Sequence, residues 1–471
     1  MDGIMDINAK INGFVWGLPM LAVFLSIGLM FSVRCGFFQI TGIRMWMNQT
    51  ILACFRRKNV RKTGDSKSIS QFQSVCTALA ATLGTGNIAG VATAIAAGGP
   101  GAVFWMWVSA LLGMMTSFAE NTLGIRYRYK DAEGNWVGGA MVYMEKGLHA
   151  KGMAMVYAAL CVLASFGIGN MSQANSIADA MASNFQVPPF ITGVVMAGII
   201  SLVVMGGMKR IAGVTEKVVP FMAIVYMLGA VFVVLFNAGR LPAAVGSIFK
   251  EAFQWKAGVG GAAGYGIMTA MKKGISRGVF TNEAGLGSSV LAHSASDVKE
   301  PAVQGMWGIF EVFADTIVMC TITALVILTS GVYDVGIYSG ALGTEAFEGL
   351  PLGASLTANA FSSVFGAAGG KFVALALALF AFSTLLGWSY YGVQAISYLF
   401  GKKAVKPYQW VFIVMIVVGC MANLTMVWEI SDTFNGLMAI PNLIAIVLLS
   451  GQAVQLAGPY IRPAMHALRK S

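Results

Sequence analysis

The stretch 70–99 constrains the fold of this chain more than any other. It is apolar and long enough to span a bilayer, yet the run Gly84-Thr85-Gly86-Asn87 interrupts its middle. Backbone groups in hydrocarbon need partners, so an unwound segment at this depth is tolerated only where it is buried in protein or lines a cavity. We therefore predict a broken transmembrane helix whose break forms a site for an ion or a small polar solute. The alternative is that these glycines serve only close helix packing.

The rest of the chain is also largely apolar. Hydrophobic residues make up 57% of the sequence and charged residues 11%, against about 25% charged in soluble domains. The 471 residues leave short loops around ten or eleven spans of about 20 residues each. We therefore predict an all-α polytopic membrane protein, in which residues 1–471 form a single transmembrane domain. The net charge of +11 indicates cytoplasmic loops and not a nucleic-acid surface.

Residue types that commonly hold metals or form disulfides show no such pattern here. The six cysteines have no C-x-x-C spacing, and the three histidines (His149, His293, His466) lie far apart without a metal-hydrolase motif. An intramembrane aspartyl protease is disfavoured, because only Asp179 and Asp315 have a suitable predicted depth. We expect neither an enzyme nor a bound cofactor.

Apolar runs predict eleven spans. They cover 14–33, 70–99, 102–125, 153–185, 188–208, 218–238, 275–295, 302–328, 372–399, 410–426 and 434–456. Most of the 31 basic residues fall in alternate loops, above all in 34–67 and 126–151, whereas the loop 331–357 has none. The positive-inside rule then places the N-terminus outside and the C-terminus in the cytoplasm. Residues 239–274 are placed outside as a re-entrant or surface segment, and Glu429 and Asp432 as part of an external loop.

The spans also predict an internal repeat. With 14–33 set aside as an extra span, two sets of five remain, 70–238 and 275–456, and each opens with an interrupted helix. The second interruption is Gly285-Leu286-Gly287. Because five is odd, the second set must run inverted relative to the first. Inverted repeats with discontinuous helices in corresponding positions indicate a secondary transporter with a site near the midplane, and they count against an ion channel.

Three runs resemble the alanine or glycine:cation symporter family. They are ALAATLGTGNIAGVATAI, RGVFTNEAGLGSS (277–289) and FAFSTLLGWSYYG (380–392), and the resemblance covers essentially the whole chain. Members of that family are similar in architecture to the leucine transporter and cotransport small amino acids with sodium. The resemblance therefore implies import of alanine or glycine with sodium by alternating access. Which amino acid and which enantiomer are preferred stays open, and coupling to protons through Glu283 or the Glu311/Asp315 pair is the alternative.

The G-T-G-N run also resembles the G-x-G-N run of the sodium-coupled neurotransmitter symporters. By position, this resemblance implies that amides of Thr85 and Gly86 bind the substrate carboxylate and that carbonyls of Ala80 and Leu83 bind sodium. The assignment is physically sensible because half-helix N-termini attract anions and unwound carbonyls suit a hard cation.

Ser383 and Thr384 match the hydroxyl pair that completes the sodium site of those symporters, and Thr384 is also assigned to the substrate. The alternative is that both hydroxyls only bond back to their own helix.

Two amides and two aromatic residues complete the predicted pocket. Where the related symporters offer a tyrosine, this chain has Asn170 and Gln173 on one helical face, which either reach the pocket or join helices. A site for a small amino acid needs bulky walls, and we assign Phe280 and Trp388 to them. Trp388 lies about one turn after Thr384 on the same face, whereas for Phe280 ordinary core packing is the alternative.

Acidic residues within apolar runs need an explanation, because a charge at the bilayer centre costs several kcal/mol. Glu311 and Asp315 lie one turn apart and form either a proton relay or a structural pair, with Arg277 as a partner or close to the aqueous edge. We favour the structural interpretation. Glu120 lies near the cytoplasmic end of its span, where we expect it to be interfacial.

Overall fold

The computed structural model describes residues 2–254, 266–422 and 424–468, and helices dominate it. The helices of the first half are Asp2–Val15, Leu18–Arg34, Phe38–Thr41, Ile43–Gln49, Ile51–Arg56, Lys58–Arg61, Gln71–Thr82, Gly86–Gly90 (π), Val91–Gly98, Gly101–Tyr127, Ala140–Leu148, Lys151–Phe166, Gly167–Met171 (π), Ser172–Phe185, Pro189–Val204, Gly207–Phe236, Ala238–Arg240 (3₁₀) and Leu241–Ala252. The strands Tyr129–Lys130 and Trp136–Val137 pair as an antiparallel hairpin.

The second half is also helical. Its helices are Ile267–Asn282, Val290–His293, Pro301–Val312, Phe313–Cys320 (π), Thr321–Ser330, Val335–Ala341, Glu345–Glu348, Ala354–Phe365, Ala367–Phe400, Lys402–Ala404 (3₁₀), Val405–Met421, Leu424–Leu448 and Ser450–Leu468.

Within the described ranges, eight helices are long and apolar enough to cross a membrane. They are Asp6–Arg34, Gly101–Tyr127, Lys151–Phe185, Gly207–Phe236, Pro301–Ser330, Ala367–Phe400, Lys402–Met421 and Trp428–Leu448. The bent pair Gln71–Thr82 and Gly86–Gly98 brings the number to nine if it is one span. Pro189–Val204 is apolar but shorter. The predicted total of eleven spans therefore stays a prediction.

Both predicted interruptions are breaks between helices. The first broken helix consists of Gln71–Thr82 and Gly86–Gly98, which meet at 52°. The second consists of Ile267–Asn282 and Val290–His293, separated by residues 283–289. Glu283, Gly285 and Gly287 of this second break have positive φ angles, so glycine suits the two positions where the chain turns most sharply.

The start of the second broken helix corrects one prediction. The helix begins at Ile267 and not near residue 275, so residues 267–274 are not a separate surface segment. Hydropathy missed residues 267–274 because the charged side chains of Lys272 and Lys273 lower the mean hydropathy there. Both side chains are exposed, while Gly274 packs against the backbone of Ala102. The rest of the predicted segment includes the helix Leu241–Ala252 and residues 255–265, which lie outside the described residues.

The end of the chain corrects another. A single last span over 434–456 is wrong, because the chain turns at Leu449 between the helices Leu424–Leu448 and Ser450–Leu468. The apolar run continues through this turn, so hydropathy cannot detect it. Glu429 and Asp432 lie within Leu424–Leu448 and not in a loop.

Candidate binding site at the broken helices

The first break is fixed at both sides by hydrogen bonds. Ser70 begins the helix Gln71–Thr82 with a capping box, in which Ser70 and Gln73 bond to each other's backbone N–H groups. At the break, the Gly84 N–H donates to Oδ1 of Asn87 at 3.0 Å. Thr85 and Asn87 are fully buried. The unwound backbone is therefore enclosed by protein, as a break within a membrane requires.

Two polar side chains from other helices face this break. Gln173 accepts a hydrogen bond from the Thr85 N–H at 3.4 Å, and its own amide donates to the Ile168 carbonyl at 3.0 Å. A Cβ atom on Gly84 would lie 2.6 Å from Oγ1 of Thr384. Three of the predicted substrate residues, Thr85, Gln173 and Thr384, thus lie at one place although they come from three different helices.

The second broken helix packs against Gly86. A Cβ atom on Gly86 would lie 2.5 Å from Cγ2 of Thr281 and 3.6 Å from the ring of Phe280. Phe280 is buried and stacks on Trp428, with ring centroids 5.7 Å apart. Phe280 therefore adjoins the predicted carboxylate position and also packs against an aromatic neighbour.

Oxygen atoms gather at the first break around Leu83, which follows the helix Gln71–Thr82. The Ser383 hydroxyl lies 3.5 Å from the carbonyl oxygen of Leu83 and donates to the Phe380 carbonyl at 2.7 Å. The Thr384 hydroxyl also donates to Phe380, at 3.1 Å. Ala80 is fully buried in the helix that ends at this break. The hydroxyls bond to their own helix and also face the break, and carbonyl and hydroxyl oxygens are ligands that suit a hard monovalent cation.

Trp388 lies at the second break. Its indole N–H donates to Oε1 of Glu283 at 3.0 Å, and the Ser288 hydroxyl donates to the other oxygen of the same carboxylate. The indole is fully buried and packs so closely on Gly169 that a Cβ there would lie 2.3 Å from Cβ of Trp388. Trp388 therefore joins the second break to the π-turn Gly167–Met171.

Asn170 has a different environment from Gln173. Its side-chain amide donates to the Phe412 carbonyl at 2.7 Å, on the helix Val405–Met421. The structure brings Gln173 to the first break, whereas the amide of Asn170 links two helices.

A buried network that the sequence did not reveal connects the two broken helices. Asp315 accepts hydrogen bonds from Asn87 and from Thr316, both at 2.7 Å. Thr316 in turn accepts one from Asn282, the last residue of Ile267–Asn282, at 3.1 Å. The sequence marks both Asn87, in the G-T-G-N run, and Asp315, an acidic residue in an apolar run. Sequence spacing could not show that the two side chains contact each other.

The other acidic residues have partners that the sequence left open. Arg277 pairs with Asp432 at 3.7 Å, and Glu311 contacts His293 at 3.0 Å, so neither Glu311 nor Asp315 is the partner of Arg277. Glu120 is 1% exposed and accepts a hydrogen bond from Asn442, so other helices cover it, and its interfacial depth stays a prediction. Helical spacing gives the face of a residue but not the helix that covers it.

The two aspartates of the disfavoured protease alternative have different environments. Asp179 is exposed, whereas Asp315 is fully buried in the network between the broken helices.

A latch at one end holds the two broken helices together. Ile69 precedes the first broken helix and forms a parallel bridge with Ser296, which follows the second. The Ile69 N–H donates to the Ala295 carbonyl at 3.1 Å, and the Asp297 N–H donates to the Ile69 carbonyl at 2.9 Å. Arg128 donates to the Ser294 carbonyl at 2.8 Å and lies 4.0 Å from the Trp136 ring. Burial lowers the pKa of Arg128 to about 10, so it stays protonated at neutral pH.

The whole sequence matches one known family. A sequence model of the sodium:alanine symporter family matches residues 1–470. The chain belongs to the sodium:alanine symporter family. The members of this family are transporters and not enzymes. The chain is a multi-pass membrane protein.

Individual relatives agree with this assignment. The chain is 45% identical over 460 residues to the sodium/alanine symporter AgcS of Methanococcus maripaludis, covering 96% of each chain. It is 35% identical over 467 residues to YrbD of Bacillus subtilis, named a putative sodium/proton-dependent alanine carrier protein, covering 98% of this chain and 94% of that one.

A solved structure supports the fold. The crystal structure of MhsT in complex with L-phenylalanine matches with a TM-score of 0.55 at 15% identity, covering 84% of this chain and all of that one. The predicted leucine-transporter-like arrangement is therefore confirmed as a fold.

Proposed function

We propose that this protein imports small neutral amino acids, alanine and glycine, together with sodium by alternating access. The observation that carries the proposal is the convergence at the first break of the Leu83 carbonyl, the Thr85 amide, the Gln173 side chain and the hydroxyls of Ser383 and Thr384. Donors and acceptors for a zwitterion thus lie beside oxygen ligands for a cation.

The substrate carboxylate binds at the amides of Thr85 and Gly86. These amides lie where the outer half of the broken helix begins, and a helix N-terminus attracts an anion. Gln173 and Thr384 border this position, and Asn170 fixes the adjoining π-turn Gly167–Met171 through its bond to the Phe412 carbonyl. Because Gly86 has no side chain, the carboxylate can approach the backbone closely. Phe280 and Trp388 wall off the side-chain end, which limits the substrate to small amino acids.

Sodium binds at the inner side of the same break. Its ligands are the carbonyls of Ala80 and Leu83 and the hydroxyls of Ser383 and Thr384. The 3.5 Å separation of Ser383 Oγ and the Leu83 oxygen supports this assignment, because both atoms can face one ion between them. Sodium then stabilises the backbone geometry that the carboxylate needs, which couples ion and substrate.

The proposed architecture is one domain over residues 1–471 with eleven spans. Residues 14–33 belong to the extra N-terminal span and 70–238 form the first repeat. The second, inverted repeat, predicted over 275–456, begins with the helix Ile267–Asn282. The basic loops place the N-terminus outside and the C-terminus in the cytoplasm. In this orientation the Ile69–Ser296 latch closes the inner side, and the Arg277–Asp432 pair beside Phe280 closes the outer side. Alternating release of these two contacts opens the site to either side.

Proton coupling is the second candidate. Three buried carboxylates favour it. Glu283 and Asp315 accept hydrogen bonds from neutral donors. Among the described residues, His293 is the one ion-pair partner of Glu311 within 4.0 Å. Acidic residues within membrane spans are rare because a charge there is costly, and in transporters they can form proton relays.

Equilibrium binding tests the proposal. Purified protein is titrated with labelled alanine in sodium and in potassium buffers of equal ionic strength, at an acidic and at a neutral pH. Sodium coupling predicts an alanine affinity about 10-fold or more higher in sodium at both pH values. An affinity that depends on pH and ignores the replacement of sodium by potassium would favour the proton.

A further inference from the structure

A basic cavity lies apart from the candidate site. It has a volume of about 860 Å³ and opens between the start of the first broken helix, at Phe72 and Gln73, and the helix Gly207–Phe236. We call it the basic cavity because six of its lining residues are basic: Arg56, Arg57, Lys58, Arg61, Lys62 and Lys217.

The charge of this cavity is not balanced within the protein. Glu216 is the single acidic lining residue, and within the described part of the chain none of the six basic residues forms an ion pair within 4.0 Å. Arg56 and Arg57 instead donate to the neutral amides of Asn48 and Gln49 at 3.2 Å and 3.0 Å. Six like charges around one volume repel one another, so an anion bound there would relieve the repulsion.

Exposed apolar side chains beside the basic cavity favour a position at the level of the lipid headgroups. The short helices that precede it expose Ile40, Ile43 and Phe55, with 52%, 50% and 80% of each residue accessible. Short helices with exposed apolar and basic side chains lie in the membrane interface. The positive-inside rule requires basic residues in this loop, but it does not require them to line one cavity.

We propose that the basic cavity binds the phosphate group of an anionic phospholipid from the leaflet that it faces. Guanidinium groups match phosphate oxygens with paired hydrogen bonds, and the ammonium groups add charge. Clusters of four to eight basic residues beside a membrane span are typical of anionic-lipid sites. A headgroup in the basic cavity bridges the loop at Arg56–Arg61 and the first turn of the first broken helix, so lipid composition acts directly on the half-helix that carries Ala80 and Leu83.

Native mass spectrometry of the full-length protein in detergent tests this proposal. Phosphatidylglycerol and phosphatidylcholine with identical acyl chains are titrated onto three proteins. These are the wild type, the cavity variant Arg57→Gln/Arg61→Gln/Lys62→Gln, and the control variant Lys67→Gln/Lys209→Gln/Arg210→Gln. The control removes the same charge from exposed residues outside the cavity. Thermal unfolding profiles verify that both variants are folded.

The proposal predicts that the wild type and the control retain phosphatidylglycerol in preference to phosphatidylcholine. The cavity variant should bind phosphatidylglycerol about 10-fold more weakly. Equal loss in both variants, or no loss in either, would overturn the proposal, because the effect would then reflect net charge or another site. Displacement of the lipid by an equal concentration of inorganic phosphate would also overturn it, because the cavity would then serve a soluble anion.

Discussion

At Gly86 the two broken helices lie too close together to admit a side chain without a shift. A Cβ atom there would meet Thr281 at 2.5 Å, whereas a Cβ on Gly90, one turn later, would meet nothing within 4 Å. We predict that Gly86→Leu abolishes alanine binding in a protein that still folds, and that Gly86→Ala weakens binding by about 10-fold or more. Gly90→Ala is the matched control. Unchanged alanine affinity of the purified Gly86→Leu protein would show that the carboxylate binds elsewhere.

Thr384 separates the role of the ion from that of the substrate. Removing its hydroxyl in Thr384→Ala takes one oxygen from the proposed sodium site, so the sodium concentration for half-maximal alanine binding should rise. By linkage, sodium raises the affinity for alanine by the same factor as alanine raises the affinity for sodium, and this factor should become smaller in the variant. Ser389→Ala is the control, because that buried hydroxyl bonds to the Leu386 carbonyl of the same helix. If alanine affinity at saturating sodium fell while the sodium dependence stayed the same, Thr384 would be a substrate contact only.

Trp388 tests the size limit of the pocket. Trp388→Phe should admit larger amino acids such as leucine, because the smaller side chain leaves more volume for the side chain of the substrate. The variant also loses the hydrogen bond to Glu283. Glu283→Gln is therefore the control, since it keeps an acceptor and a full-sized wall and should preserve the rank order of ligands. Binding is measured across a series of side-chain lengths, and an unchanged order in Trp388→Phe would remove Trp388 from the pocket.

For single residues, the sequence predicted which residue types form the site but not which residues contact one another. The G-T-G-N run and the Ser383-Thr384 pair pointed to groups that the structure brings together. Asn170 and Gln173 share a helical face, so spacing alone could not tell them apart. The Phe412 carbonyl on a neighbouring helix accepts from Asn170, and no local pattern predicts that neighbour.

Among the elements, the breaks were easier to predict than the ends of the helices. Glycine and asparagine within an apolar run reveal a break, because they weaken the helix where a span needs it. The start at Ile267 and the turn at Leu449 were missed. Charged Lys272 and Lys273 lower the hydropathy at the start of the helix Ile267–Asn282, so its first residues were not predicted. The composition stays apolar through Leu449, so the turn there leaves no signal in the sequence.

The network between the broken helices makes its own prediction. Asn87 caps the Gly84 N–H and donates to the buried Asp315, so Asn87→Ala removes both bonds. Leaving a buried carboxylate without this donor should cost about 1–3 kcal/mol. The thermal unfolding midpoint of the purified protein should fall accordingly. Thr93→Ala, on the same half-helix, removes a hydroxyl that bonds to Ala89 within that helix, and it should have little effect. Equal midpoints for the two variants would show that the network does not stabilise the break.

For the whole molecule, the apolar composition predicted a helical membrane protein, and the resemblance to the symporter family implied the leucine-transporter-like fold. The match to MhsT at 15% identity illustrates how little of that fold depends on particular side chains. The pairs Glu311–His293 and Arg277–Asp432 could not be predicted. They join residues from separate helices, so they depend on how the bundle assembles.

The central claim is that a sodium gradient drives amino acid uptake through the first break. Its most direct test is uptake of labelled alanine into proteoliposomes that contain the purified protein, with either a sodium gradient or a proton gradient imposed. We predict accumulation against the alanine gradient with the sodium gradient alone, and none with the proton gradient alone. Gly86→Leu proteoliposomes should accumulate no alanine under either condition. Accumulation driven by the proton gradient alone, with no response to sodium, would contradict the claim and assign the coupling to the buried carboxylates.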